Sequence, residues 1–285
     1  MLFQLYEFML PTPSNIYKPV VKTVAVFSIV SGFLVITGWI ADIEILKSFV
    51  RGLPSMKMNS AICFVLSGAV LLLLSQKQKP PRYFQTVLSS VIVLTGLITL
   101  GQDITGFNTG IDEWIVPDRD VMLPAKDAPG RMAETTAFCF SLLGLSFLFI
   151  HSRIHIIKLA VQYALHLVTF VAFLATIGYT YKIPSFYTLS FISSMAFHTS
   201  IILCILSIAA TFINPSLGIT GMFTGKTTGS IMARRLFPLM VFLILIMGYL
   251  RLQLHWQNMV NEDFGIALFA ISFVMLSLLL ISITA

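Results

Sequence analysis

Eight apolar runs, each long enough to cross a lipid bilayer, follow one another along this chain at approximately 20–41, 58–76, 83–102, 133–151, 156–180, 190–213, 235–255 and 264–284. A helix needs about 20 apolar residues to traverse the hydrocarbon core. A backbone in lipid must satisfy its own hydrogen bonds, which leaves helices or closed barrels. Barrel strands alternate polar and apolar residues, and these continuous runs do not. Of the 285 residues, 57% are hydrophobic and 11% charged, against about 25% charged in a soluble domain. The expected fold is all-α: a polytopic membrane protein of eight transmembrane helices paired as four hairpins. Residues 1–19 form a cytoplasmic N-terminal segment and 20–285 the membrane domain, with one long outer loop at about 103–132. The first eighteen residues lack a basic stretch followed by a cleavage site, so they do not read as a secretory signal.

The basic residues orient the chain. With the N-terminus inside, ten Lys and Arg fall on the cytoplasmic side and eight outside, while eleven of the twelve acids fall outside. The acid-free basic connectors at 76–82 and 151–155 then lie inside, and both termini are expected in the cytoplasm. The net charge of +6 reports topology and gives no sign of a nucleic-acid partner; the lipid bilayer is the partner it implies.

The chain also repeats itself. Met56, Ser60, Ala61, Cys63, Phe64 and Gly68 align without a gap on Met132, Thr136, Ala137, Cys139, Phe140 and Gly144. A third, weaker copy begins at Met195-Ala196, and a fourth is hinted at by Asn261–Ala267. Each copy opens an even-numbered span, and each preceding span ends near a glycine: Gly38, Gly101, Gly178 and Gly248. The hydroxyl residue is placed to cap its helix, and the small residues after it allow close packing in lipid. The repeat speaks more for architecture than for chemistry.

The polar centre is the loop 102–134, which holds Asp103, Asp112, Glu113, Trp114 and Arg131. Loops of this length are often functional; the plainer reading is a solvated connector with an interfacial Trp. With His198 and Arg251 these residues share the outer side and form a candidate ligand or ion-pair cluster. Arg234 and Arg235 suit anionic headgroups and set orientation. His166, within the fifth span, fits a hydrogen-bonded packing residue better than a ligand. His151 and His155 lack further ligands for a metal, and Cys63, Cys139 and Cys204 show no ligand spacing. Gly225-Lys226-Thr227 lacks the upstream glycine of a phosphate-binding loop. No metal, cofactor or catalytic motif is expected.

Several segments together carry a family resemblance: Gly38-Trp39 with Met56-x-Met58-Asn59-Ser60-Ala61, Pro129-Gly130-Arg131-Met132-Ala133 with Thr136-Ala137, Met195-Ala196-x-His198-Thr199, Ala233-Arg234-Arg235-Leu236-x-Pro238, Gly248-Tyr249-Leu250-Arg251-Leu252 and Phe264-Gly265-x-Ala267-Leu268. In these the chain, over about 30–284, resembles the N-terminal multi-pass membrane region of bacterial PAS-containing sensor histidine kinases and related signalling proteins. The resemblance implies a sensory input module in the bacterial inner membrane, a homodimer, and a last helix leading to cytoplasmic PAS and kinase domains that would lie beyond Ala285. It carries over no ligand. Two other classes compete: a small transporter or permease, which intramembrane ionisable residues would favour, and a passive membrane anchor.

Overall fold

The computed structural model describes residues 13–50, 53–76, 81–118, 129–182, 195–257 and 262–284. Among these there is no strand, and the chain is all-helical. It divides into two compact units, Met1–Gly218 and Ile219–Ala285.

The first unit contains α1 (Pro13–Ile40), the short α2 (Glu44–Lys47), α3 (Met58–Ser75), α4 (Arg82–Thr105), α5 (Glu134–Phe149), α6 (His155–Thr180) and α7 (Phe197–Thr211). The second contains α9 (Thr228–Trp256) and α10 (Glu262–Thr284), which pack on each other. The seven-residue α8 (Gly218–Thr224) starts at the division. Five helices are long and apolar enough to cross a membrane: α1 from Ile16, α3, α4, α6 and α9. Of the others, α5 and α7 are shorter than that measure. At about 1.5 Å per residue, the 16 residues of α5 rise about 24 Å, against a hydrocarbon core of about 30 Å.

The outside of the bundle is apolar and its inside partly polar. On α1, Val26, Phe27, Val30, Phe33 and Leu34 are exposed while Ala25 and Ser28 are buried. On α4, Val91, Leu94, Leu97 and Ile98 are exposed while Ser89 and Thr99 are buried. A water-soluble helix shows the reverse. In lipid, large side chains gain nothing from turning inward, and small or hydroxyl residues let backbones approach.

Three antiparallel helix pairs build the first unit, and the repeat sets their register. A Cβ placed on Gly32 of α1 would meet the carbonyl oxygen of Ala61 at 2.6 Å, and one on Gly68 of α3 would meet that of Ala25 at 2.6 Å. In the second pair, a Cβ on Gly96 of α4 would meet the Ala137 oxygen at 2.6 Å, and one on Gly144 of α5 would meet the Ser89 oxygen at 3.1 Å. Ala61 and Ala137 are matched repeat positions, as are Gly68 and Gly144. In the third pair the corresponding places carry hydroxyls that bond across the interface. Thr176 Oγ1 lies 3.0 Å from Ser200 Oγ, and Thr169 Oγ1 lies 2.8 Å from Ser207 Oγ. Phe64 and Phe140, also matched, meet edge to face at 5.0 Å between centroids, so the first two pairs join through the same face of the repeat.

The repeat's hydroxyls do not cap their helices as expected. The helices start at Met58, Glu134 and Phe197, with Lys57, Ala133 and Ala196 at the cap positions and no side-chain cap. Ser60 and Thr136 therefore sit inside the first turn, where a side chain faces the neighbouring helix; both are buried. The side-chain cap the structure does record belongs to α9, where Thr227 Oγ1 accepts from the Ser230 amide at 3.2 Å. That helix also begins earlier than expected, so Arg234 and Arg235 are exposed within its second turn instead of preceding it. The connector 77–80 and most of the loop before Met195 lie outside the described residues, as does Asn261 of the hinted fourth repeat, whose positions 262–267 open α10. The three cysteines are free.

Candidate functional site

The polar groups converge where the loop after α4 returns to α5. Thr105 is the last residue of α4, and Gly106 follows in the left-handed conformation at φ +70°, its amide bonded to the Gln102 oxygen at 2.9 Å. The chain then turns back over the ends of α3 and α4. Asp112, buried at 4% exposure, accepts from Asn59 Nδ2 at 2.9 Å and from Arg131 Nε at 3.2 Å. Arg131 Nη1 also reaches Asp103 Oδ1, at the end of α4, at 3.0 Å. One guanidinium thus ties the last turn of α4 to the loop, while Asn59 ties the loop to the first turn of α3. The planar fork of Arg is suited to bridging two carboxylates.

A second tie runs beside it. Lys57 Nζ lies 2.5 Å from Asp118 Oδ2, which also accepts from the Gly130 amide at 3.0 Å. The Asp118 amide donates to Glu113 Oε1 at 3.1 Å. Gly130 is required here on two counts: its φ is +70°, and a Cβ would meet the Asp112 carbonyl oxygen at 2.6 Å. Lys57 and Lys47 lie 5.8 Å and 4.8 Å from the centre of the Trp39 ring, and Trp39 Nε1 donates to the Met56 oxygen at 2.8 Å. In the third pair Tyr179 Oη holds the matched Met195 oxygen at 2.7 Å. An aromatic donor near the end of the preceding helix thus fixes two of the three repeat methionines.

Burial works against charge on Arg131, but the hydrogen bonds and negative charges of Asp112 and Asp103 outweigh it and raise its pKa. The guanidinium stays charged at any pH at which the protein can be studied. Lys57 and Arg131 face Asp103, Asp112 and Asp118, and each positive group has a carboxylate partner. Such mutually matched charges hold segments together and can change partners when a ligand competes for one of them.

No family model, curated protein or solved structure matches this chain.

The fold brings together Asp103, Asp112 and Arg131 of the candidate residues, with Glu113 at the edge of the set, and keeps Trp114 and His198 out of its ion pairs. Glu113 is exposed beside Asp118, and Trp114 is 83% exposed, turned away from the ion pairs. His198 is buried in the first turn of α7 against the Phe49 ring, at 5.6 Å between centroids. Arg251 belongs to the second unit, inside α9 and five residues before its end. Lys57, Asn59 and Asp118 are the partners that sequence reasoning left out. The signal for two of them lay within the repeat: Lys57 and Asn59 stand where the second copy has Ala133 and Thr135. Among the described residues no three His, Cys, Asp or Glu side chains come together as a metal site.

Proposed function

We propose that this chain is the sensory input module of a bacterial signalling protein of the sensor-kinase type, with eight transmembrane helices in four hairpins and both termini on the cytoplasmic side of the inner membrane. The observation that carries the reading is the Asn59–Asp112–Arg131–Asp103 set, which makes the outer loop a strap held by buried charge across two helix pairs. An intramembrane or near-membrane ionisable cluster is a functional site by default. A stimulus that competes for Asp112 or Arg131 would favour a second packing of the helix ends. The short α5 and α7 fit eight crossings because the residues before them, Met132 and Met195-Ala196, are buried. Non-helical backbone is tolerated at membrane depth when protein covers it.

The test uses a cysteine introduced at Ser282, near the end of α10. Its oxidative cross-linking between copies in native membranes is compared with and without Arg131→Ala. A sensor couples the strap to the last helix and changes its cross-linking pattern. An unchanged pattern makes the chain a passive anchor. Orientation is read separately, by labelling a cysteine at Thr109 with an impermeant maleimide from outside intact spheroplasts.

A further inference from the structure

A cavity of about 180 Å³ opens between the start of α4 and the residues that follow α5. Arg82, Gln85, Thr86, Phe149, His151 and Ser152 line it. A water takes about 30 Å³ in the liquid, so a phosphate group and bridging waters fit. The lining is cationic and donor-rich. Arg82 brings five N–H groups. The Ser152 hydroxyl accepts from the Ile154 amide at 3.2 Å, which leaves its own proton to donate. Gln85 is held in place by the Phe147 oxygen at 2.6 Å. The cap position of α4 is Pro81, which supplies no side-chain cap, so the positive end of a 24-residue helix adds to the field. No acid occurs in 81–88 or 147–158. Phe149 of the lining is 49% exposed, and Tyr83 and Phe84, in the first turn of α4 but outside the lining, are 70% and 55% exposed. Aromatic side chains gather at the level of lipid headgroups.

We propose that this cavity binds a phosphate-bearing anion, with Arg82 as the principal charge, the Ser152 hydroxyl as a donor, and Phe149 against its apolar part. The exposed aromatic residues at this end of α4 and α5 and, on the topology proposed above, the cytoplasmic side of both connectors favour the headgroup of an anionic phospholipid; a soluble phosphate ester would meet the same donors. The lipid source rests on the transmembrane reading above. Basic pockets between transmembrane helices on that side recognise such headgroups.

The full chain, purified in a neutral detergent, is titrated with phosphatidylglycerol and with phosphatidylcholine, and retained lipid is counted by native mass spectrometry. A parallel arm measures binding of inorganic phosphate by equilibrium dialysis. Wild type retains phosphatidylglycerol preferentially, and Arg82→Gln with His151→Gln weakens that preference about tenfold, as loss of a charged hydrogen bond would. Arg82→Lys keeps most of it. If inorganic phosphate binds and the same variant loses it, the anion is a soluble ester. The site is overturned if the double variant, at unchanged melting temperature, matches wild type in both arms, or if Arg153→Gln weakens binding as much. Alkaline carbonate extraction separates the two readings. A chain stripped from native membranes overturns the transmembrane reading and the headgroup source with it, whereas a pelleted chain with indifferent variants overturns only the site.

Discussion

Asn59 and Asp112 are 53 positions apart and meet at 2.9 Å, both buried, at the point where the first helix pair touches the loop between α4 and α5. Within this contact Asn59 donates its amide and Asp112 accepts. Removing a buried partner leaves the other desolvated, at a cost of about 1–3 kcal/mol. Asn59→Ala should therefore free the loop, read as faster proteolysis between residues 106 and 118 in detergent. Asn59→Asp should free it more, because a second carboxylate then faces Asp112. Equal proteolysis of Asn59→Ala and wild type would show that Arg131 alone retains Asp112.

Arg131 bears on two carboxylates whose side chains are 3% and 15% exposed. Losing one member of a buried ionic set costs about 3–5 kcal/mol. Arg131→Ala should lower the melting temperature in detergent more than Asn59→Ala does. Arg131→Lys should recover only part, since an ammonium cannot span both acceptors in one plane. The sign of the pH effect follows from the raised pKa of Arg131. Its contribution is fully present below the unfolded-state value and fades only as pH rises beyond the accessible alkaline range. The gap between wild type and Arg131→Ala should accordingly show no alkaline loss from this group in a pH series of melting curves.

Two glycines of α4 should respond in opposite ways. At Gly96 an added Cβ would lie 2.6 Å from the Ala137 oxygen and would also collide with Ser141 Oγ, whereas at Gly101 nothing stands within 4 Å. Gly96→Ala forces α4 and α5 apart, at about 1–3 kcal/mol. Gly101→Ala gains helix propensity and should stabilise by about 0.5–1 kcal/mol. Paired melting curves decide it, and a stability loss at Gly101 as large as at Gly96 would refute the close-approach argument.

The third pair should behave differently again, because hydroxyls replace the close backbone contact. A double-mutant cycle of Thr176→Val and Ser200→Ala measures the 3.0 Å bond between them. Interhelical hydrogen bonds in membrane proteins couple by about 0.6 kcal/mol. A coupling near zero would mean that the bond of Thr176 to the Ala172 oxygen, at 2.9 Å, satisfies it alone.

The helical class, the apolar exterior and the places where helices occur were legible in the sequence, because a run of apolar residues without alternation admits little else in lipid. The repeat was legible too, since Met56 with Met132 and Gly68 with Gly144 align by eye. What the repeat does was decided by the tertiary structure. Its hydroxyls read as caps until the helix starts were fixed, and a shift of three residues turns a cap into a packing group. The site divides in the same way. Sequence reasoning could collect Asp103, Asp112 and Arg131 on one side of a membrane because topology sorts residues by side. It could not separate them from His198, or add Lys57, Asn59 and Asp118, because side of the membrane fixes one coordinate and a hydrogen bond needs three. Those partners follow from how the loop folds back over the ends of α3 and α4, a path set by Gly106, Gly130 and the charges it buries.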